Sequence, residues 1–341
     1  MPKPWVSFCM STFKRPDFLQ KQIQSLLMQT FNDFEIIISD NDPQGSGKKI
    51  VDLFNDSRIK YAVNEVNLGM VKSFNKSLSR STGDFIVMIT DDDPVYPDML
   101  ETLHDLTLKH PGYGVYQGGC ETLCYSIFSA NVMRSKVGIN SCLSSEMNYN
   151  DVRVFNAVDF PHIFFKGKLG ALMLWSVAIV KREIAIENGG MPDYGTEFFT
   201  DHAYIVANGS KKGVVYLNRA LGHQAIHGEN FGFNQLKNMD KFIAVPENFT
   251  KWLESKLKDR EDWKSLKNEM YNFTGRAIVE FSLFIRKSLK ASNFPSEDFS
   301  KAKKIVFAYS YIRKWKFKYF LLSEFPATFN YLLQLKQKFI K

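Results

Sequence analysis

Between Trp5 and His110, short continuous apolar runs alternate with segments whose apolar residues recur at helical spacing. This alternation limits the fold more than any other feature of the chain. Trp5–Met10 (WVSFCM), Phe34–Ser39 (FEIIIS) and Phe85–Thr90 (FIVMIT) read as buried strands, and Ile59–Val63 as a weaker one. Pro16–Gln29 places Phe18, Ile23, Leu26 and Leu27 at helical spacing, with Pro16 suited to a first turn. Further helices are expected through Leu53 and Phe54, from Met70 to Leu78 and from Pro97 to His110. Strands apolar on both faces must be covered on both faces, and intervening helices do this when right-handed crossovers join parallel strands. The expected class is α/β: a Rossmann-like, mostly parallel sheet flanked by helices.

Past Gly112 the pattern loosens. Tyr113–Glu121 reads as a strand, the Ser-, Asn- and Gly-rich Asn131–Asn150 as a loop, and Asp151–Phe165 as holding a helix. The apolar run Leu172–Val180, a helix from about Thr200 and a last strand at Gly213–Leu217 follow. From about Asn234 the spacing is helical, as at Trp252, Leu253, Leu257, Ile278, Phe281 and Ile285. The chain therefore divides into residues 1–234 and a helical carboxyl-terminal region, 235–341.

The net charge of +8 raises the question of nucleic acid, but residues 301–341 hold ten Lys or Arg against one Glu. That local balance of +9 accounts for all of the excess, so the basicity belongs to a tail. The tail interleaves its bases with Phe307, Tyr309, Tyr311, Trp315, Phe317 and Phe320, a composition suited to an anionic membrane surface or to a helical cap. No nucleic-acid partner is expected. Cys9, Cys120, Cys124 and Cys142 show no zinc spacing and no CxxC, which reads as reduced thiols in a cytoplasmic setting. Nothing near Trp5 resembles a signal peptide, and the longest apolar stretch, Ala171–Val180, is too short to span a bilayer.

The chemistry concentrates at Asp91-Asp92-Asp93, directly after the third buried run. Three adjacent carboxylates repel one another unless a cation or strong donors offset them. The carboxyl end of a parallel strand is also where open α/β sheets bind ligands. A divalent metal holding a phosphate-bearing substrate accounts for both facts. A solvated acidic turn is the alternative, since Pro94 and Pro97 follow at once.

Residues 5–40, the N-L-G at 67–69 and the T-D-D-D-P-V-Y-P-D at 90–98 together resemble a family 2 glycosyltransferase with the GT-A fold, in the nucleotide-diphospho-sugar transferase superfamily. The detailed resemblance covers about residues 4–110, and a looser one extends to about 230. It implies transfer of a sugar from a nucleotide-diphosphate donor, UDP-sugar before GDP- or dTDP-sugar, to an acceptor hydroxyl. Inversion at the anomeric carbon and a divalent metal, Mn²⁺ or Mg²⁺, are part of that expectation. The acceptor would be a saccharide or lipid-linked saccharide of bacterial surface polysaccharide synthesis, met at the inner face of the cell membrane. The leaving nucleoside diphosphate gains negative charge, which a bridging metal stabilises.

Carried onto this sequence, the resemblance makes Asp92 the direct metal ligand, with Asp93 beside it either as ligand or as holder of the turn. Asp91 would contact the ribose or a metal-bound water, and His227 would reach back to the metal or diphosphate. Asp40 would accept the base N3–H, with Ser11, Phe13 and Arg15 around the nucleotide; a helix cap is the plainer reading of Asp40. Asp201, in GGMPDYGTEFFTDHAYI, would be the catalytic base, with Glu197 and Asp193 as competitors and a helix cap as its plainer reading. Trp175 suits either a sugar ring or the core. Thr90, Phe13, Phe74 and Ala225 stand where the family often has Asp, Tyr, Arg and Arg. A sugar nucleotidyltransferase is disfavoured because Ser11–Arg15 contains no glycine, and a non-catalytic nucleotide-sugar-binding module remains the other alternative.

Overall fold

The computed structural model describes residues 3–133, 135–167, 169, 174–227, 230, 244–291, 309–317, 320 and 325. The expected alternation is present: β1 (Val6–Thr12), α1 (Pro16–Leu27), β2 (Phe34–Asp40), α2 (Lys48–Val51), β3 (Ile59–Val63), α3 (Met70–Arg80), β4 (Phe85–Ile89) and α4 (Met99–Lys109), except that α2 ends before Leu53 and Phe54, which lie in the turn after it. β2 and β4 are buried along their whole length, which is why they read as unbroken apolar runs rather than alternating ones. β3, β2, β1 and β4 lie side by side and parallel. All their carboxyl ends therefore open on one edge, where Thr12, Asp40 and the three acids after Ile89 gather.

The second half completes a sheet of nine strands among the described residues, in the order β3-β2-β1-β4-β8-β5-β9-β7, with β6 paired to β5. β5 (Val115–Cys124) is followed by α5 (Ile127–Met133) and β6 (Gly138–Ser141). The segment expected as a loop thus holds part of a helix and a short antiparallel strand. The helix expected over Asp151–Phe165 splits instead into β7 (Val152–Phe155) and α6 (Asp159–Lys166). The V-R-V-F of β7 alternates in exposure, the period of an edge strand, and four residues are too few to show it against a helical background. β8 (Ala178–Lys181) sits antiparallel between β4 and β5, followed by α7 (Arg182–Glu187) and α8 (Thr200–Lys212). β9 (Val214–Ile226) runs nine residues past the expected end at Leu217. Its pairing with β5 shifts register near Gly118 and Gly119, and this irregularity hides its continuation in the sequence.

Helices α9 (Val245–Leu257) and α10 (Trp263–Ala291) follow. The expected boundary at 234/235 lies outside the described residues. Phe249, Leu253, Leu257, Leu266, Met270 and Phe273 join the same hydrophobic core as β1, β4 and α8, so these helices extend that core. His162 of α6 sits between Glu269 (Nδ1, 2.6 Å) and Asp262 (Nε2, 3.0 Å), tying α6 to the carboxyl-terminal helices. Most of the basic tail, 301–308 and 326–341 included, lies outside the described residues. Among the described residues no helix is long and apolar enough to cross a membrane, and none of the four cysteines is in a disulfide.

Candidate active site at the carboxyl ends of the parallel strands

The long β9 assembles the site. It runs antiparallel to the segment after β4 through a bridge between Val95 and Gly222. Tyr96 N–H donates to Leu221 O (2.8 Å), His223 N–H to Pro94 O (3.1 Å), and Ala225 N–H to the Asp93 carboxylate (3.0 Å). Leu221, His223 and Ala225, alternate residues of β9, and His227 just past its end thus meet Tyr96, Pro94, Asp93 and Asp92 in turn, and the last pair brings His227 Nε2 to 3.2 Å from Asp92 Oδ2. Gly222 permits the approach, because a Cβ there would lie 2.9 Å from Pro94 O. A histidine 135 residues from its acid is thus placed by strand pairing.

From the other side comes the turn after β1. Lys14 there takes a left-handed φ of 55°, unusual for a residue with a Cβ, and the turn swings Arg15 back over the acids. Arg15 Nη1 donates to Asp91 Oδ1 (2.8 Å) and Nη2 to Asp92 Oδ2, with Nη2 3.4 Å from His227 Nε2. Its guanidinium lies 4.5 Å from the Phe18 ring centre, and Phe18 stacks on His227 at 4.6 Å. Thr12 Oγ1 donates to Asp91 Oδ2 (2.8 Å). Asp91, Asp92, Arg15 and His227 therefore form one cluster. Thr12 and Phe18 belong to it too, although the sequence reading singled out neither for function.

The three acids differ in state. Burial and the neighbouring Asp92 charge push the Asp91 carboxyl up to about 7, against the pull of Arg15 and Thr12. Burial also acts on Asp92, but the His227 hydrogen bond and the Arg15 charge outweigh it and hold that carboxyl below the usual range. Asp93 is raised by burial and by Asp92, and it accepts the Ala225 N–H. Asp92 is thus the firmly ionised member, and Asp93 is engaged in bracing β9.

Asp40 departs from expectation. It is fully buried, its Oδ1 accepting Asp42 N–H (3.0 Å) and its Oδ2 accepting Gly47 N–H (2.8 Å) and Tyr61 O–H (2.6 Å). These bonds close the 42–47 turn, so Asp40 presents no exposed oxygen to a base in this state. Ser11 donates to Ser73 Oγ of α3 (2.7 Å). Alternation along β1 explains why Ser11 faces α3 whereas Thr12 faces Asp91. Phe13 is 40% exposed and free to offer a ring face beside the site. Phe74 and Trp175 are core residues packed 5.7 Å apart.

Asp201 lies in the first turn of α8, whose N-cap Phe199 has a left-handed conformation (φ 63°). Its Oδ1 accepts both the His202 N–H (2.8 Å) and a contact from His202 Nδ1 (2.7 Å). Burial raises the carboxyl, but the His202 charge and hydrogen bonds outweigh it, leaving Asp201 below the usual range. His202 is in turn lifted by Asp201 against its own burial. The segment leading to Asp201 is pinned to α3, because Asn75 bonds both Met191 N–H (2.7 Å) and Met191 O (2.9 Å). A Cβ on Gly190 (φ 74°) would run into Asn75 Oδ1. Glu197 has a buried carboxylate oxygen without a hydrogen-bond partner, and Asp193 is exposed, 4.0 Å from Lys72 Nζ.

Among the described residues no three His, Cys, Asp or Glu side chains converge as a complete metal cage. The Asp92 carboxylate and His227 imidazole nevertheless suit a hard or borderline divalent cation, which commonly takes one or two protein ligands plus phosphate oxygens.

Residues 7–122 match the family model for glycosyl transferase family 2. A GalNAc(5)-diNAcBac-PP-undecaprenol beta-1,3-glucosyltransferase from Campylobacter jejuni is 34% identical over 123 residues, 35% of this chain and 38% of that relative. The chain thus matches well under two thirds of that relative's length. Among solved structures, S. aureus TarS 1-349 in complex with UDP gives a TM-score of 0.58 at 14% identity, covering 82% of this chain and 74% of that one. The mannosyltransferase PcManGT from Pyrobaculum calidifontis, in complex with GDP-Man and Mn²⁺, gives 0.52 at 13% identity, covering 93% and 84%. At these identities the structural likeness is one of fold. Residues 7–122 are thus similar to glycosyl transferase family 2, and the chain has a GT-A-type α/β fold.

Proposed function

We propose that the protein is an inverting glycosyltransferase that moves a sugar from a nucleotide-diphosphate donor, a UDP-sugar first, to a hydroxyl of a saccharide or lipid-linked saccharide in bacterial surface polysaccharide synthesis. The observation that carries this reading is the cluster of Asp91, Asp92, Arg15 and His227 at the carboxyl ends of β1, β4 and β9. Such an edge of a parallel sheet is where nucleotides sit in open α/β folds.

In this reading Asp92 and His227 hold a divalent metal, Mn²⁺ or Mg²⁺, while Asp93 braces β9 behind them. When bound, the metal neutralises charge developing on the leaving diphosphate. Phe13 packs against the base, Ser11 and Asp91 line the ribose side, and Asp40 acts by holding the 42–47 turn in shape. Arg15 supplies a cation to the diphosphate. Asp201, ionised at neutral pH, accepts the proton of the attacking hydroxyl, and His202 orients it. Residues 301–341 would meet an anionic membrane surface from the cytoplasmic side. Their removal then weakens binding to anionic vesicles and leaves donor binding intact.

The test is a thermal-shift screen of the full chain against UDP-, GDP- and dTDP-sugars, with and without Mn²⁺. A ligand that binds only the native state raises the transition temperature. The expected result is stabilisation by one nucleotide class that Mn²⁺ strengthens in wild type and not in Asp92→Ala. No stabilisation by any nucleotide sugar, or an equal Mn²⁺ effect in both proteins, would overturn the reading.

A further inference from the structure

The guanidinium of Arg15 occupies ground that a metal on Asp92 would need. Asp92 Oδ2 receives Arg15 Nη2 while lying 3.2 Å from His227 Nε2, and Nη2 is itself 3.4 Å from that ring nitrogen. One carboxylate oxygen thus serves both groups that face it. A divalent cation bound there at about 2 Å would face the guanidinium at short range, two positive centres competing for one oxygen. The Arg15 side chain keeps only 24% of its surface exposed, and Asp92 9%. Little solvent is available to screen that repulsion.

Resting on the donor-site reading above, we propose that Arg15 is an internal counter-cation that closes the Asp91–Asp92 pair in the donor-free protein and must leave Asp92 before a metal can bind it. The donor's diphosphate is the group that draws it away. Charge balance favours this order. With Asp91 ionised or protonated alike, a dication added on Asp92 beside an unmoved Arg15 would leave the site with a net positive charge. A diphosphate arriving with the metal offers the guanidinium oxygens in a geometry that suits its fork of donors. Phe18 supplies the pivot. It lies 4.5 Å beneath the guanidinium and stacks on His227, so Arg15 can keep its ring contact while its nitrogens exchange partners. Metal and diphosphate are then coupled through one side chain, and each tightens the other by the same factor.

Titration of Mn²⁺ followed by loss of the free-ion electron paramagnetic resonance signal tests this, with and without saturating UDP. The proteins are wild type, Arg15→Gln and Arg15→Lys at full length. Wild type should bind Mn²⁺ weakly alone and more tightly with UDP. Arg15→Gln should bind Mn²⁺ without UDP about ten-fold or more tightly than wild type, the scale of a lost charge-assisted hydrogen bond. It should also gain less from UDP. Arg15→Lys keeps the charge without the two-pronged grip and should fall between them. It decides the matter alone should Arg15→Gln lose its fold by circular dichroism. Donor-free Mn²⁺ affinity equal to or below that of wild type in the variants would overturn the proposal while leaving the donor site in place. Failure of wild type to bind Mn²⁺ even with UDP would instead remove the donor-site reading, and this proposal with it.

Discussion

On the β1–β4 side, Asp91, Asp92 and His227 are held by ion pairs and by main-chain bonds between β9 and the segment after β4. Asp201 is held differently. Its helix packs through Phe199 against Phe249 of α9 and through His202 against Phe273 of α10, with ring centres 5.6 and 5.9 Å apart. A charge-held site can rearrange when a ligand brings charges of its own, because the partners are exchangeable. A site held by close-packed rings has no equivalent second arrangement, since moving one ring opens a void. The β1–β4 side is therefore suited to respond to donor and metal, and the Asp201 side to present a fixed carboxylate. Substitutions should separate accordingly into losses of binding and losses of rate or stability.

The largest expected effect falls on Asp201. Asp201→Asn removes the proposed proton acceptor and should lower kcat by about 10²–10⁴-fold. The dissociation constant for UDP should stay within about two-fold of wild type, since the substitution leaves the Asp92 cluster untouched. Steady-state kinetics with calorimetric UDP titration would show the split. Unchanged turnover would pass the role to Glu197, whose carboxylate oxygen is buried and unpartnered.

Phe249→Ala tests the packing half of the contrast. This ring is fully buried, and its removal should cost about 3–5 kcal/mol of unfolding free energy. Urea denaturation measures it. A cost below about 1 kcal/mol would mean that α9 does not anchor α8 as described. Phe13→Ala, at an exposed ring on the other side, should leave stability within about 0.5 kcal/mol and weaken UDP instead.

The smallest effect is a pH dependence at His202. Its folded pKa is raised by Asp201, so its contribution is complete below the unfolded value of about 6.5 and is lost as pH rises through the folded value. Asp201 is lowered, so its own contribution is present above about pH 4 and is lost as pH falls through the folded value. The stability gap between wild type and His202→Gln should therefore be larger below about pH 6.5 and shrink as pH rises through the folded value. A gap that does not change with pH would show that His202 stabilises by packing among Phe164, Phe199 and Phe273 alone.

The same contrast separates what could be read from the sequence from what could not. β1, β2 and β4 were legible because parallel strands covered on both faces are continuous apolar runs. β6 and β7 were not, because four half-exposed residues carry too little pattern. The acids at 91–93 were visible as a local charge excess, and His227 through family resemblance. The Arg15 bridge was not visible, since it joins residues 76 and 77 positions apart through a left-handed turn at Lys14 that composition does not announce. Nothing in the sequence tells Thr12, which bonds Asp91, from Ser11, which bonds Ser73 on the opposite side of the strand. The burial of Asp40 was equally hidden, because the donors that enclose it come from Gly47 and Tyr61 as well as its neighbour Asp42.

The central claim is that Asp92 and His227 mark a metal–diphosphate site where β4 and β9 meet. A crystal of the full chain grown with UDP and Mn²⁺, with an anomalous difference map at the manganese edge, tests it most directly. The account predicts a manganese peak about 2 Å from an Asp92 oxygen and bridged to the diphosphate, with Arg15 moved from Asp92 onto phosphate. UDP bound with its diphosphate away from Asp92, or manganese held elsewhere, would contradict it.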